Sequence, residues 1–343
     1  MQKTIAYTVF VLLGIVLLFF ANLFFGSISI PAGMVIDILL GKTVEREAWT
    51  HIVLESRLPQ VVTALFTGGG IAVSGLLLQT SFRNPLADPG ILGITSGASL
   101  GVALVILFMG GITGGIAGFD FSQSMMVVVG AFLGSLVILA VIIGFASVVR
   151  NNVMLLIIGI MVGYLTSSVI TLLKFFSDSE SLFSYTMWGM GNFSSISSSQ
   201  LPFYCITVSV GLILSVLLMK PLNALLLGER YAANLGVNIR MVRLLLLLCA
   251  GLLTAITTAY CGPVSFIGLA VPHMVRLVLG TSNHKSLLPL TMLIGAFIAL
   301  LCNLLSVLPG QGGVIPLNAI TPVLGVPVIL YVIINQRKIQ YFN

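Results

Sequence analysis

"SFIGLAVPHMVRLVLG", residues 265 to 280, decides how this chain is organised. A crossing of a hydrocarbon core about 30 Å thick takes roughly 20 apolar residues. This stretch is shorter and carries Pro272, His273 and Arg276. If it crosses, every later loop lies on one side of a membrane; if it does not, they all lie on the other.

The chain around it leaves no doubt about the solvent. Of 343 residues, 58% are hydrophobic and 7% are charged, where an ordinary soluble domain is about 25% charged. Apolar windows of spanning length are centred in 5–25, 61–80, 91–109, 125–146, 153–175, 202–219, 244–260, 287–307 and 320–334. The first is too long for a signal-peptide core and lacks a small-x-small cleavage site, so it reads as a retained span. The whole chain, 1–343, reads as one transmembrane unit with no separate soluble domain.

Charge settles the short stretch, because Lys and Arg gather in short cytoplasmic loops. With residues 265–280 crossing and the N-terminus inside, Lys3, Arg83, Arg150, Lys220, Arg230, Arg240, Arg243, Arg276, Lys285, Arg337 and Lys338 are cytoplasmic. Only Lys42, Arg46, Arg57 and Lys174 are outside, a split of 11 to 4. Without the crossing the split is 7 to 8 and carries no orientation. The sequence therefore predicts an all-α polytopic protein with ten spans and both termini inside. The same assignment puts Asp37, Glu45, Glu47, Glu55, Asp120, Asp178 and Glu180 outside and only Asp88 and Glu229 inside.

Several functions are disfavoured on the same page. No acidic or basic residue lies near a predicted midplane, Lys174 and Arg276 being near enough to span ends to snorkel, which argues against a proton-coupled carrier. "GKT" at 41–43 is no phosphate loop, because Ile36 stands where its first glycine belongs. Cys205, Cys249, Cys261 and Cys302 show no metal or disulfide spacing and read as core residues. No catalytic or metal-binding constellation is visible, and nothing points to nucleic acid. Gly97 and Gly101, Gly130 and Gly134, and Gly159 and Gly163 form G-x-x-x-G pairs. Such pairs permit close helix packing, with pathway lining the lesser reading.

Two inner connections stand out. "FRNPLADPG", residues 82–90, sets two prolines and three polar or charged residues between long apolar runs. The stretch of about 221–239 follows Pro221 and is divided by Gly228 and Gly236, which predicts two short amphipathic helices at the membrane face. Periodicity alone leaves open whether these helices merely lie at the interface or dock a cytosolic partner.

"RLPQ" at 57–60, "SGLLLQTSFRNPLADPGILGITSGA" at 74–98, "LNALLLGERYAANLGV" at 222–237 and "GPVSFIGLAVPHMVRL" at 262–277 resemble the FecCD family. These are the permeases of type II ABC importers for iron–siderophore complexes, haem and vitamin B12. The resemblance implies a ten-helix fold and a homodimer with one shared pathway in the bacterial cytoplasmic (inner) membrane. It also implies two cytosolic ABC ATPase subunits that carry ATP and Mg, and an extracytoplasmic substrate-binding protein; this chain itself holds no cofactor and is not an enzyme. The function so implied is import of a metal chelate, an iron–siderophore complex or haem first and cobalamin next. A stand-alone secondary carrier is the remoter reading.

Carried over residue by residue, the resemblance makes Leu222, Asn223, Leu227, Gly228, Glu229, Leu235 and Gly236 the ATPase-coupling residues. It places Asn84, Pro85, Leu86, Asn152 and Val153 at the cytoplasmic gate, and Met161, Thr166, Ser167 and Ser168 along the pathway. Arg57 matches an arginine that docks the binding protein. The chain departs from the family nearby: Gln60 stands for a second basic residue, Cys302-Asn303-Leu304-Leu305-Ser306-Val307 for A-D-x-x-A-R, and Val314 for a glutamate. Docking is thus expected to use another charge pattern, with the acidic outer stretch from Glu45 to Glu55 a candidate.

Overall fold

The computed structural model describes residues 2–42, 44, 46–108, 123–149, 152–308 and 313–334. The positions of Glu45, Asp120, Arg150, Arg337 and Lys338, used above to orient the spans, lie outside the described residues. The chain is all-helical among the described residues. In order it forms α1 (Gln2–Phe24), α2 (Ala32–Leu39), α3 (Glu47–His51), a π-wound turn at Ile52–Arg57, and α4 (Leu58–Phe82). Then come α5 (Ile94–Ala103) with a π-wound end at Leu104–Phe108, α6 (Gln123–Val148), α7 (Asn152–Phe176), α8 (Ser179–Gly189) and α9 (Leu201–Leu217). The last are α10 (Met219–Leu226), α11 (Glu229–Asn234), α12 (Ile239–Cys261), α13 (Ile267–Leu279), α14 (His284–Val307) and α15 (Leu317–Ile334).

Among the described residues, six helices are long and apolar enough to cross a membrane. Counting the pair α9 and α10, bent by 49° at Leu218, as one span makes seven. The bend follows from Pro221, whose missing N–H cannot continue the ladder. The apolar segments Ile94–Phe108, Ile267–Leu279 and Leu317–Val332 are shorter than a full span. The 13 residues of α13 rise only about 20 Å. Length therefore leaves the expected crossings at these three places to the reading proposed below.

α4 is the axis of the bundle. It is apolar all round, as a helix enclosed by others must be, and from Val61 to Phe82 nearly every side chain is buried. α14, α12, α13 and α9 surround it. Glycine sets the closest approaches: a methyl group on Gly68 would overlap the carbonyl of Gly295 in α14, and one on Gly75 would overlap that of Gly268 in α13. Two of the three G-x-x-x-G pairs do the same elsewhere. Gly97 and Gly101 of α5 lie against Gly134 and Gly130 of α6, backbone on backbone, which is the packing that small residues give in lipid.

α13 begins only after an irregular turn at residues 262–266, which a lipid-exposed backbone could not sustain. Protein covers it instead. Asn318 donates to the carbonyls of Pro263 (2.6 Å) and Gly189 (3.1 Å) and accepts from the Ser265 N–H (3.1 Å). Three chain segments are thus tied by one side chain. Arg276 does not snorkel as its position suggested. It is 3% exposed and donates to Gln79 Oε1 at 2.6 Å, because α13 lies under α4 rather than against lipid.

Candidate functional site

The residues expected to dock, gate and couple lie at opposite ends of the bundle. At the α4 N-terminal end a cavity of about 380 Å³ is bounded by the end of α1, the π-wound turn, residues 187–194, the end of α14 and residues 314–317. Arg57 is at its wall but is 5% exposed. The wide turn aims its guanidinium beneath the end of α1, where it donates to the carbonyls of Leu23 (2.7 Å), Phe24 (3.1 Å) and Ile28. The carbonyls of Leu23 and Phe24 end α1 and have no intrahelical donor; that of Ile28 lies in the loop that follows. Arg57 therefore shapes the loop at residues 25–31 and does not present a free charge at the surface.

The family departures at Gln60 and Asn303 meet in the same wall. Gln60 Nε2 donates to Asn303 Oδ1 at 2.9 Å, Asn303 Nδ2 donates to Asn22 Oδ1 at 2.8 Å, and Asn22 Nδ2 donates to the carbonyls of Leu18 (2.7 Å) and Leu300 (3.1 Å). Where the family resemblance leads one to expect a base and an acid, two neutral amides bond each other. Two of the missing charges thus fall on one hydrogen-bonded pair. Val314 borders the same cavity.

The opposite end holds the proline joint and the loop between α9 and α12. α4 stops at Arg83, which adopts a left-handed conformation (φ 47°) while its N–H and that of Asn84 close onto Thr80 and Gln79 (3.2 and 3.1 Å). The Asn84 side chain accepts from the Leu86 N–H at 2.9 Å, and Asp88 from the Gly90 N–H at 2.8 Å. Each is a local cap of an Asx type that stiffens a turn. His273 of α13 bonds the Pro85 carbonyl through Nε2 at 2.7 Å. Past the joint, Ile91 and Leu92 lie against Gly159 of α7. Leu86 and Val153 are both exposed here; the Asn152 side chain lies outside the described residues.

Within the loop, the expected short helices are α10 and α11, and the dividing glycines, Gly228 (φ 103°) and Gly236 (φ 84°), hold conformations that L side chains rarely adopt. The predicted coupling residues split into two roles. Leu222 is wholly buried, and Asn223 bonds Asn283 and His284 at the start of α14. Glu229 pairs with Arg243 of α12 at 2.6 Å. Leu227, Tyr231 and Leu235 face outward, each about 60% exposed. Gly228 lies next to the Arg83 guanidinium, so loop and joint are neighbours.

α7 packs on α5 and α6 and leaves its other side open. Met161, Ser167 and Ser168 are on the open side with Tyr164, Leu165 and Leu172. Thr166 is not; it is 3% exposed and donates to the Gly163 carbonyl at 2.8 Å. The helical period turns it toward the protein. Sequence reasoning missed Asn318, His273, His284 and Gln79. Isolated polar residues in apolar runs were the only sign of them.

The chain matches the FecCD transport family over residues 13–335. It is 36% identical over 331 residues to the hemin transport system permease protein HmuU of Yersinia pestis, covering 95% of this chain and 96% of that one. It is 33% identical over 295 residues to the vitamin B12 import system permease protein BtuC of Vibrio cholerae, covering 84% and 86%. Among solved structures, it superposes on a metal-chelate type ABC transporter in an inward-facing conformation with a TM-score of 0.80 and 30% identity, over 98% and 99% of the two chains. Sequence, helical architecture and superposition agree along nearly the whole length, and the chain belongs to the FecCD transport family.

Proposed function

We propose that this chain is the membrane-spanning permease of an ATP-driven importer for a metal chelate, an iron–siderophore complex or haem. The observation that carries the proposal is the loop of α10 and α11. It is pinned from below by Leu222, Asn223 and the Glu229–Arg243 pair, and it exposes Leu227, Tyr231 and Leu235 at intervals of four residues. An exposed apolar ridge on a polar rim is what a docking partner covers. That partner is a cytosolic ATPase, one for each of two permease copies, which holds the ATP and Mg while this chain performs no chemistry.

Two copies pair across the open side of α7, so that Met161, Ser167 and Ser168 line a shared pathway and Thr166 supports it from behind. Asn84, Pro85, Leu86, Asn152 and Val153 form the gate at the cytoplasmic end, and the short apolar segments complete ten crossings in a bacterial inner membrane with both termini inside. The cavity beside Gln60 and Asn303 faces outward and receives a substrate-binding protein. Arg57 contributes there by holding residues 25–31 in shape. Cobalamin is the second cargo, favoured by the similarity to BtuC.

The test is reconstitution in liposomes with the ATPase and binding protein, comparing ATP-driven uptake of haem, ferric siderophores and cobalamin. Uptake sustained by an ion gradient with the ATPase left out would overturn the proposal.

A further inference from the structure

His284 opens α14 and is completely buried. Its backbone N–H and its Nδ1 both point at Asn223 Oδ1, at 2.8 and 3.0 Å, and its Nε2 is 2.9 Å from Thr80 Oγ1. The proton positions follow from these partners. Asn223 Oδ1 already accepts the backbone N–H, so it is an oxygen and can only accept again; Nδ1 then carries the ring proton. Nε2 is left as an acceptor, and the Thr80 hydroxyl donates to it. The Leu76 carbonyl, also near that hydroxyl at 3.0 Å, is already served by the helix ladder of α4.

These bonds connect elements far apart in sequence. Asn223 is on α10, in the loop that docks the ATPase in the reading above. Thr80 is in the last turn of α4, and its carbonyl receives the Arg83 N–H that turns the chain into the proline joint. Apolar contacts such as those of Leu222 and Leu225 can slide with little change in energy, because dispersion has no direction. Buried hydrogen bonds cannot, since each is directional and no water stands ready to replace a broken one.

Resting on the coupling role proposed above, we infer that His284 is a positioning residue that carries displacement of α10 into the gate joint through the chain Asn223, His284, Thr80, Arg83. The apolar contacts keep α10 seated; the hydrogen-bond chain makes α4 follow it. Asn223 is thereby a link between the loop and α14 as well as a residue beside the partner.

The experiment measures cargo moved per ATP hydrolysed in liposomes that hold the full importer. Thr80→Val removes one link without changing shape. It is expected to lower that ratio about fivefold, the factor equivalent to one buried hydrogen bond, with ATP hydrolysis unchanged; Thr80→Ser should restore it. Thr80 and Asn223 bond His284 from opposite sides, so Asn223→Ala with Thr80→Val should be no worse than the poorer single variant. A valine variant with the parental ratio, or a double variant whose loss is the product of the two single losses, overturns the inference alone. A parent protein that does not couple ATP to uptake overturns the proposed function and the inference together.

Discussion

Gln60 and Asn303, 243 positions apart, share a 2.9 Å hydrogen bond in the wall of the cavity at the head of α4. Two charges expected from the family resemblance are replaced together by two amides, which fits the cost of leaving one half of a buried ion pair alone. Gln60→Arg is expected to lower the melting temperature of the purified permease, and Asn303→Asp to lower it further, because its new oxygen faces Asn22 Oδ1. The double variant should be less damaged than the sum, with a coupling of about 1–3 kcal/mol. Additive losses in thermal unfolding would show that the pair acts as two separate residues.

Asn318 supplies the irregular backbone before α13 with three hydrogen bonds. At about 1 kcal/mol each, Asn318→Ala should cost roughly 3 kcal/mol, seen as a lower melting temperature in detergent and faster amide exchange across residues 262–266. Asn318→Asp keeps the acceptor for Ser265 but turns an oxygen toward the carbonyls of Gly189 and Pro263. It should be at least as damaging; a neutral result would mean that the turn is held by packing alone.

Asp88 in the joint accepts from Gly90, and its other oxygen lies against Gly268 of α13. Burial pushes its carboxyl up to about 6, against the smaller opposing pull of the Gly90 N–H. A raised folded-state value means that the native joint binds its proton more tightly than the unfolded chain does. The stability so contributed is complete below about pH 4 and is lost as the pH rises through about 6. Because the side chain is half-buried, the effect should be about 1–2 kcal/mol. Melting curves from pH 4 to 7 should show the parent losing stability relative to Asp88→Asn, which retains the acceptor for Gly90; a difference between the two that does not change with pH would overturn the assignment.

Gly228 sits at φ 103° between α10 and α11, and Glu229 immediately follows, paired with Arg243. Gly228→Pro forces φ near −65°, and Glu229→Arg sets two like charges together where a pair stood. Both should leave the helical bundle folded and still able to bind the ATPase weakly, while cargo moved per ATP falls at least about tenfold, the range of 1.4 kcal/mol or more expected from a strained backbone or a broken pair. Parental coupling in both variants would remove this loop from the drive train.

The sequence alone sufficed wherever the cause was local. Charge-poor windows named the six helices that are long and apolar enough to cross, since lipid leaves the backbone no other partner. Pro221, Gly228 and Gly236 placed the bend and both short helices, since they act on their own φ angles. Gly97, Gly101, Gly130 and Gly134 announced a close approach, though not that they approach each other.

What only the tertiary structure decided was the partner of each polar group. Arg57 reads as a surface arginine until α1 ends above it, and Arg276 reads as a snorkelling one until Gln79 is found beside it. Thr166 shares a helix with Ser167 and Ser168 but not a face. His284 and Thr80 stand 204 positions apart, and nothing in either run predicts that they meet. In a bundle where almost every helix surface is apolar, hydropathy says which segments pack but not against which neighbour, and the few buried hydrogen bonds that select the arrangement exist only once the helices have met.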